Sequence, residues 1–226
     1  MLEFPLILVN FKTYASATGK NAVKLAKIIA DVANKYGINA AVAPQHVDIY
    51  RVSSEVDIPV LSQHVDPISP GRDTGWISPF SIKESGAVGS IVNHSEHPLQ
   101  LQDIGEVIQM LRELNLTSVV CAKDVEISRQ IASLRPDVIA IEPPELIASG
   151  RAVSKVSPEV VSRGVEVIRK VNPNVVVLCG AGISSGEDVR IALELGASGV
   201  LVASGVVQAK DQRAAIEDLA KGIKNE

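Results

Sequence analysis

A closed (β/α)8 barrel, an α/β fold with an all-parallel sheet, is the architecture this sequence predicts, and three observations predict it. Val and Ile supply 31 and 22 of the 226 residues while Phe, Tyr and Trp together supply 7, a core composition that fits a parallel sheet covered on both faces. Short apolar runs recur eight times, on average about 28 residues apart, close to the length of one strand-plus-helix unit. The segments between them mostly carry helical period. An open doubly wound sheet is the main alternative, and the count of eight with its even spacing favours closure. The longest polar stretch, Asp66 to Gly75, is too short for a linker, so residues 1–226 read as a single barrel domain.

The run Leu6–Val9 precedes Ala22, Ala26, Ile29, Ala33 and Tyr36, a helical stripe that Gly37 stops. The runs Ala40–Ala43 and Pro59–Leu61 are followed by weaker and shorter segments, Val47–Ser54 and Ser78–Ser85. Ser90–Val92 leads to Leu101, Ile104, Ile108 and Leu111, and Val119–Ala122 to Ile127, Ile131 and Leu134. After Val138–Ile141 the stripe is Val161, Val165 and Ile168, opened by Ser157 as N-cap and Pro158 at the first helical position. After Val175–Leu178, Ser185 and Asp188 have the spacing of a capping box for the helix at Val189–Leu195. Val200–Ala203 precedes the last stripe, Ile216, Leu219, Ala220 and Ile223.

Several partner classes are excluded by the same arithmetic. Net charge is −4 with a pI near 5.6 and no basic stripe, so no nucleic-acid partner is expected. No apolar run reaches about 18 residues, so no membrane span is expected. The N-terminus lacks a basic region before its short apolar run and reads as a first strand rather than a signal peptide. Cys121 and Cys179 each sit in an apolar segment, which fits a reducing cytosol and a cytoplasmic protein better than a disulfide framework.

Barrel chemistry belongs on the loops after the strands, so the polar residues there are weighed first. Asn10 and Lys12 follow the first strand on one side of the extended chain, where an amide and an ammonium could hold an anion or a developing oxyanion. Taken alone, Lys12 reads better as a solvated lysine at a loop mouth. Asn93-His94-Ser95-Glu96-His97 follows the fourth strand. His94 there is an electrophile, a base, a metal ligand or simply the cap of a turn. No second ligand spacing accompanies the His94, Glu96 and His97 cluster, so no metal is expected. Glu142 ends the sixth apolar strand, a costly place for a carboxylate unless it is used or paired. Pro143 and Pro144 stiffen the strand exit and Gly150 loosens the far end, so Pro143–Gly150 reads as a lid and Glu142 as a candidate base or else a loop cap. Gly180-Ala181-Gly182-Ile183-Ser184-Ser185-Gly186 and Val202-Ala203-Ser204-Gly205 follow strands seven and eight, where small residues let backbone N–H groups reach a phosphate. Ser185 stands where a dinucleotide fingerprint needs its third glycine, so no cofactor is expected. One carboxylate, one imidazole, one lysine and two phosphate-type loops at strand ends suit proton abstraction beside a carbonyl on a small phosphorylated substrate.

These residues resemble the triosephosphate isomerase family. The matching motifs are Asn10-x-Lys12, Asn93-His94-Ser95-Glu96, Ile141-Glu142-Pro143 with Ile147 to Gly150, Gly180–Ser184 and Ala203-Ser204, and Thr74-Gly75 with Ile77-Ser78-Pro79 is similar to that family's third loop. They run in order from residue 9 to residue 204, and the short chain resembles the compact archaeal branch. The resemblance implies the TIM barrel, a triose phosphate substrate, and a place in glycolysis and gluconeogenesis with no cofactor or metal. It implies Glu142 as the base, His94 as the neutral electrophile and Lys12 as the group that binds the anion and steadies the enediolate. Asn10 would support the oxyanion and Glu96 would pair with Lys12. Ile147, Gly182, Ala203 and Ser204 would contact the phosphate. It also implies a homo-oligomer built through the third loop, with a tetramer favoured over a dimer. Three features depart from the family's usual pattern: Pro144-Glu145 in the lid, Trp76 in the third loop, and Cys179 before the strand-seven glycines. The competing readings are another phosphate-binding barrel, such as a sugar-phosphate epimerase or an indole-glycerol-phosphate-type synthase, and a catalytically silent barrel kept for binding.

Overall fold

The computed structural model describes residues 2–143 and 152–224. Its strands fall on the apolar runs: β1 Leu6–Asn10, β2 Asn39–Ala43, β3 Leu61–Ser62, β4 Gly89–Val92, β5 Thr117–Ala122, β6 Val138–Ile141, β7 Val176–Cys179 and β8 Gly199–Val202. All pairings are parallel, in the order β2-β1-β8-β7-β6-β5-β4-β3. The remaining seam, between β2 and the start of β3, is joined by a parallel bridge of Val42 with Val60. There the Val42 N–H donates to the Pro59 carbonyl at 3.0 Å. The sheet is a ring, and the open-sheet alternative falls.

Alternation along each strand divides the core into two layers. Leu6, Leu8, Ala41, Ala43, Leu61, Ile91, Val119, Cys121, Val138, Ala140, Leu178 and Leu201 form one cluster, the barrel interior, closed at its amino-terminal end by Leu2 and Phe4. Their neighbours Ile7, Val9, Val42, Val92, Val120, Ile139, Ile141, Val177 and Val200 form the other, facing the helices. Both faces of every strand are thus buried, which is why the strands read as near-continuous apolar runs rather than as alternating ones.

The helical layer comprises α1 Lys20–Tyr36, α2 Ile49–Ser53, α3 Pro79–Glu84, α4 Leu101–Glu113, α5 Val125–Ser133, α6 Val153–Val156, α7 Pro158–Val171, α8 Gly186–Glu194, α9 Ser204–Val207 and α10 Gln212–Lys224. Gly37 caps α1 in the left-handed region, as its stripe predicts. The Ser185–Asp188 capping box forms at α8 with both reciprocal bonds. Two expectations need correction. Ser157 occupies the N-cap of α7, but its side chain makes no capping bond. Leu101, read as part of a buried stripe, is exposed, and Val107 joins Ile104, Ile108 and Leu111 on the buried face instead. As the first residue of α4, Leu101 has no preceding turn over which to lie. The one-turn helices α6 and α9 carry too few residues to show a period.

Gly199 makes the β8–β1 seam possible. Its φ is +143°, and a Cβ there would stand 2.1 Å from the Leu6 carbonyl oxygen. Gly199→Ala therefore meets both a backbone strain of about 1–3 kcal/mol and an overpacking term of similar size. A loss of about 4 kcal/mol in unfolding free energy is expected from the urea midpoint. A shift below about 1 kcal/mol would show that the seam can open at little cost.

Candidate active site

The inward rows of the barrel, continued past the strand ends, deliver the polar residues. Leu6 and Leu8 lead to Asn10, Leu61 to Gln63, Val138 and Ala140 to Glu142, and Leu201 to Ala203. Asn10, Lys12, His94 and Glu142 line a cavity of about 200 Å³ at the carboxyl ends of the strands. Its other wall is Ala181–Ser184 and Leu201–Gly205. Gly182, Ala203 and Ser204, singled out from sequence, lie on that wall. Ile147, and all of the expected lid except Pro143, lie outside the described residues.

Lys12 is held in an uncommon backbone conformation, φ +48°. Its N–H donates to Asn10 Oδ1 at 2.9 Å and its carbonyl accepts from Gln63 Nε2 at 3.0 Å. Such a conformation disfavours a residue with a Cβ by about 1–2 kcal/mol, and these two side-chain bonds oppose that cost. Asn10 Oδ1 is thereby committed, which leaves its NH2 group as what it can offer a ligand. Lys12 Nζ lies 2.6 Å from Glu96 Oε1, with the lysine side chain largely buried and the glutamate side chain half exposed. Gln63 also bonds the Ala43 carbonyl, at 2.9 Å. Its part in the site was missed from sequence, although the inward row of β3 pointed to it.

Asn93 adopts φ +59° and breaks the alternation of β4. Its carboxamide clips the turn, donating to the Cys121 carbonyl and accepting from the Leu99 N–H, each at 2.9 Å. His94 comes next and is buried against the cavity. Its Nδ1 accepts the Glu96 backbone N–H at 3.1 Å, so that nitrogen carries no proton and Nε2 is the donor. His97 turns away instead and stacks on His64, rings 3.9 Å apart. The His94–Glu96–His97 cluster therefore does not converge, and among the described residues no group of three His, Cys, Asp or Glu is placed to hold a metal.

Glu142 extends β6 by one bond, its N–H donating to the Ala122 carbonyl at 2.8 Å. The residue is buried, and Oε2 has no hydrogen-bond partner among the described residues. Oε2 lies 3.7 Å from His94 Nε2, too far for a hydrogen bond, so the two groups face one cavity without satisfying each other. An unpaired buried carboxylate oxygen is energetically expensive, and its position leaves it available to take a proton from a ligand. Burial, reinforced by the charge of Glu142 and a hydrogen bond to its carboxylate, pushes the Cys121 thiol well above its ordinary range. Burial and the same carboxylate push Cys179 up to about 12. Neither cysteine is a nucleophile at neutral pH.

Gly180 gives Glu142 its room, since a Cβ there would lie 2.9 Å from Glu142 Cγ and 3.0 Å from Oε1. Gly180→Ala is expected to displace the carboxylate and lower kcat by about 10²-fold with a much smaller change in KM. Steady-state kinetics beside a thermal melt check this, and an unchanged kcat in the folded variant counts against the steric argument.

Eight parallel strands around a polar cavity at their carboxyl ends place the chain among the (β/α)8-barrel enzymes. The family model described as triosephosphate isomerase matches residues 5–221. The triosephosphate isomerase of Methanothermus fervidus is 54% identical over 218 residues, covering 96% of this chain and 98% of its own length. That of Methanosarcina mazei is 52% identical over 217 residues, with 96% and 98% covered. The crystal structure of triosephosphate isomerase from Bartonella henselae superposes with a TM-score of 0.79 at 18% identity, covering 98% of this chain and 99% of that one, a likeness of fold. The chain belongs to the triosephosphate isomerase family and is an isomerase.

Proposed function

We propose that this chain interconverts dihydroxyacetone phosphate and D-glyceraldehyde 3-phosphate through an enediolate, in glycolysis and gluconeogenesis. In the aldose-to-ketose direction Glu142 removes the C2 proton and returns it to C1. His94 donates its Nε2 proton to the carbonyl oxygen and moves protons between O1 and O2. The Lys12 ammonium and the Asn10 NH2 stabilise the oxyanion as it forms, where one fixed donor is worth about 3 kcal/mol. Glu96 orients Lys12. The backbone N–H groups of Gly182, Ala203 and Ser204, with Ile147, hold the phosphate, whose binding energy positions the reacting carbons. The observation that carries this reading is Glu142 Oε2, without a hydrogen-bond partner among the described residues, facing the same cavity as His94 Nε2 and Lys12.

The test is a coupled assay of glyceraldehyde 3-phosphate turnover by protein stripped with a chelator. Full activity is expected. Activity that needs added metal, or none at all, overturns the reading in favour of another phosphate-binding barrel or a silent one. Homo-oligomerisation, with a tetramer favoured over a dimer, is proposed alongside. Val47, Tyr50, Trp76 and Phe80 are exposed apolar side chains that support a partner copy. Sedimentation equilibrium gives the number, and a monomer at micromolar concentration would sink this part. A single barrel domain in the cytoplasm is the remaining proposal, supported by two buried free thiols. Recovery in a membrane or secreted fraction would contradict the location.

A further inference from the structure

A buried carboxylate outside the catalytic group joins the loop after β7 to α6, the short helix on the chain's return from β6. Asp188, almost fully buried, accepts at Oδ2 from the Ser184 N–H at 3.0 Å, the Ser185 N–H at 2.9 Å and the Ser184 hydroxyl at 3.3 Å. A helix cap needs only the Ser185 bond; the two bonds to Ser184 fix a residue that lies before the helix and lines the cavity. On its other side, Asp188 Oδ1 lies 2.8 Å from Lys155 Nζ, and the same ammonium lies 2.6 Å from Glu187 Oε2. Lys155 belongs to α6, which is fastened to this region twice more. Val153 N–H donates to the Ala181 carbonyl at 3.1 Å, and Ser154 Oγ donates to the Asp188 carbonyl at 3.2 Å.

We propose that Asp188, neutralised by Lys155, is a positioning residue that sets the 181–184 loop for the phosphate end of the substrate. The proposal rests on the reading of that loop as a phosphate cradle. Two physical arguments support it. A carboxylate immediately behind a loop that receives a dianion repels it unless a cation compensates, and among the described residues Lys155 is the cation in contact with Asp188. The carboxylate also ties down two successive backbone amides, those of Ser184 and Ser185, and so fixes the end of the loop whose residues 181–184 line the cavity. Burial opposes ionisation of Asp188, yet Lys155 and the bonds from Ser184 and Ser185 outweigh it and hold the carboxyl below its ordinary range.

The test compares wild type, Lys155→Met and Lys155→Arg on glyceraldehyde 3-phosphate and on unphosphorylated glyceraldehyde. It adds the inhibition constant of inorganic phosphate. In Lys155→Met, KM for the phosphorylated substrate and the phosphate inhibition constant should each rise about tenfold, a fraction of what a charge-assisted contact is worth. Turnover of unphosphorylated glyceraldehyde should stay unchanged, and Lys155→Arg should recover most of the loss. An unchanged KM, or equal losses on both substrates, overturns the proposal in favour of a purely structural ion pair. Wild type inactive on glyceraldehyde 3-phosphate overturns the functional reading instead, and the phosphate inhibition arm is then replaced by direct phosphate binding to the same three proteins. The side chain of Lys155 is partly exposed, so the variant is expected to fold; a melt within a few degrees of wild type verifies it.

Discussion

Replacing Glu142 with glutamine is expected to lower kcat for glyceraldehyde 3-phosphate by about 10³-fold or more while KM moves only a few-fold. Gln preserves size and one acceptor oxygen but cannot take up a proton at neutral pH. In the proposed mechanism Glu142 acts on the carbon-bound proton in the transition state and contributes little to holding the substrate, so its loss should fall on kcat. The structure adds a second expectation, on stability. Oε2 of Glu142 is buried without a hydrogen-bond partner among the described residues, a burden that folding must carry. A neutral carboxamide carries less of it, so Glu142→Gln should melt at the same temperature as wild type or above it. A variant that keeps most of its rate would remove Glu142 from the chemistry. A variant that loses both rate and fold would mean that the carboxylate is structural. Activity lost with stability kept or gained is the signature of a strained functional group.

The barrel was legible because its physics is periodic. Eight buried parallel strands need eight runs apolar on both faces, and those runs survive in the sequence whatever the loops do. The reach of Asn10 and Glu142 into the cavity follows from the same parity, since each continues an inward row. Gln63 obeys the rule equally and was missed because β3 is only two residues long, Leu61–Ser62, too short to display a row. His94 defeats the rule. From Ile91 inward, alternation points to Asn93, but Asn93 takes a left-handed backbone and clips the turn with its own carboxamide. That reversal depends on contacts with Cys121 and Leu99, one of them from a neighbouring strand. Asp188 was legible as half of a capping box. Its partnership with Lys155 is tertiary, 33 positions apart in the chain, and no local pattern encodes it. Position and parity were thus available from sequence; of the long-range partners only the Lys12–Glu96 pair was, through the family resemblance and not through any local pattern.

Lys12→Met is expected to reduce kcat/KM by about 10³-fold or more, with KM raised and kcat lowered together. Met keeps an unbranched stem of similar length, so the packing of a side chain that is 11% exposed is largely retained. What disappears is the ammonium. In the ground state it attracts an anionic substrate to a chain whose net charge is −4, where only a local positive group can steer the approach. In the proposed transition state it faces the forming oxyanion, worth about 3 kcal/mol as one fixed donor. The two roles separate by salt. Steering is screened over a Debye length of about 8 Å at physiological ionic strength, so wild-type kcat/KM should fall as salt rises while the Met variant responds much less. The Glu96 carboxylate is left without its ammonium 2.6 Å away, but its half-exposed side chain can be solvated, so little stability should be lost. The φ of +48° at Lys12 is equally uncomfortable for Met, and the Asn10 and Gln63 bonds to that backbone remain. The loop should therefore keep its shape, and the melting temperature should stay within a few degrees of wild type. A variant that folds, binds and turns over like wild type would take Lys12 out of the site. One that loses kcat/KM but keeps the wild-type response to salt would assign the steering to another cation and leave Lys12 with the oxyanion alone.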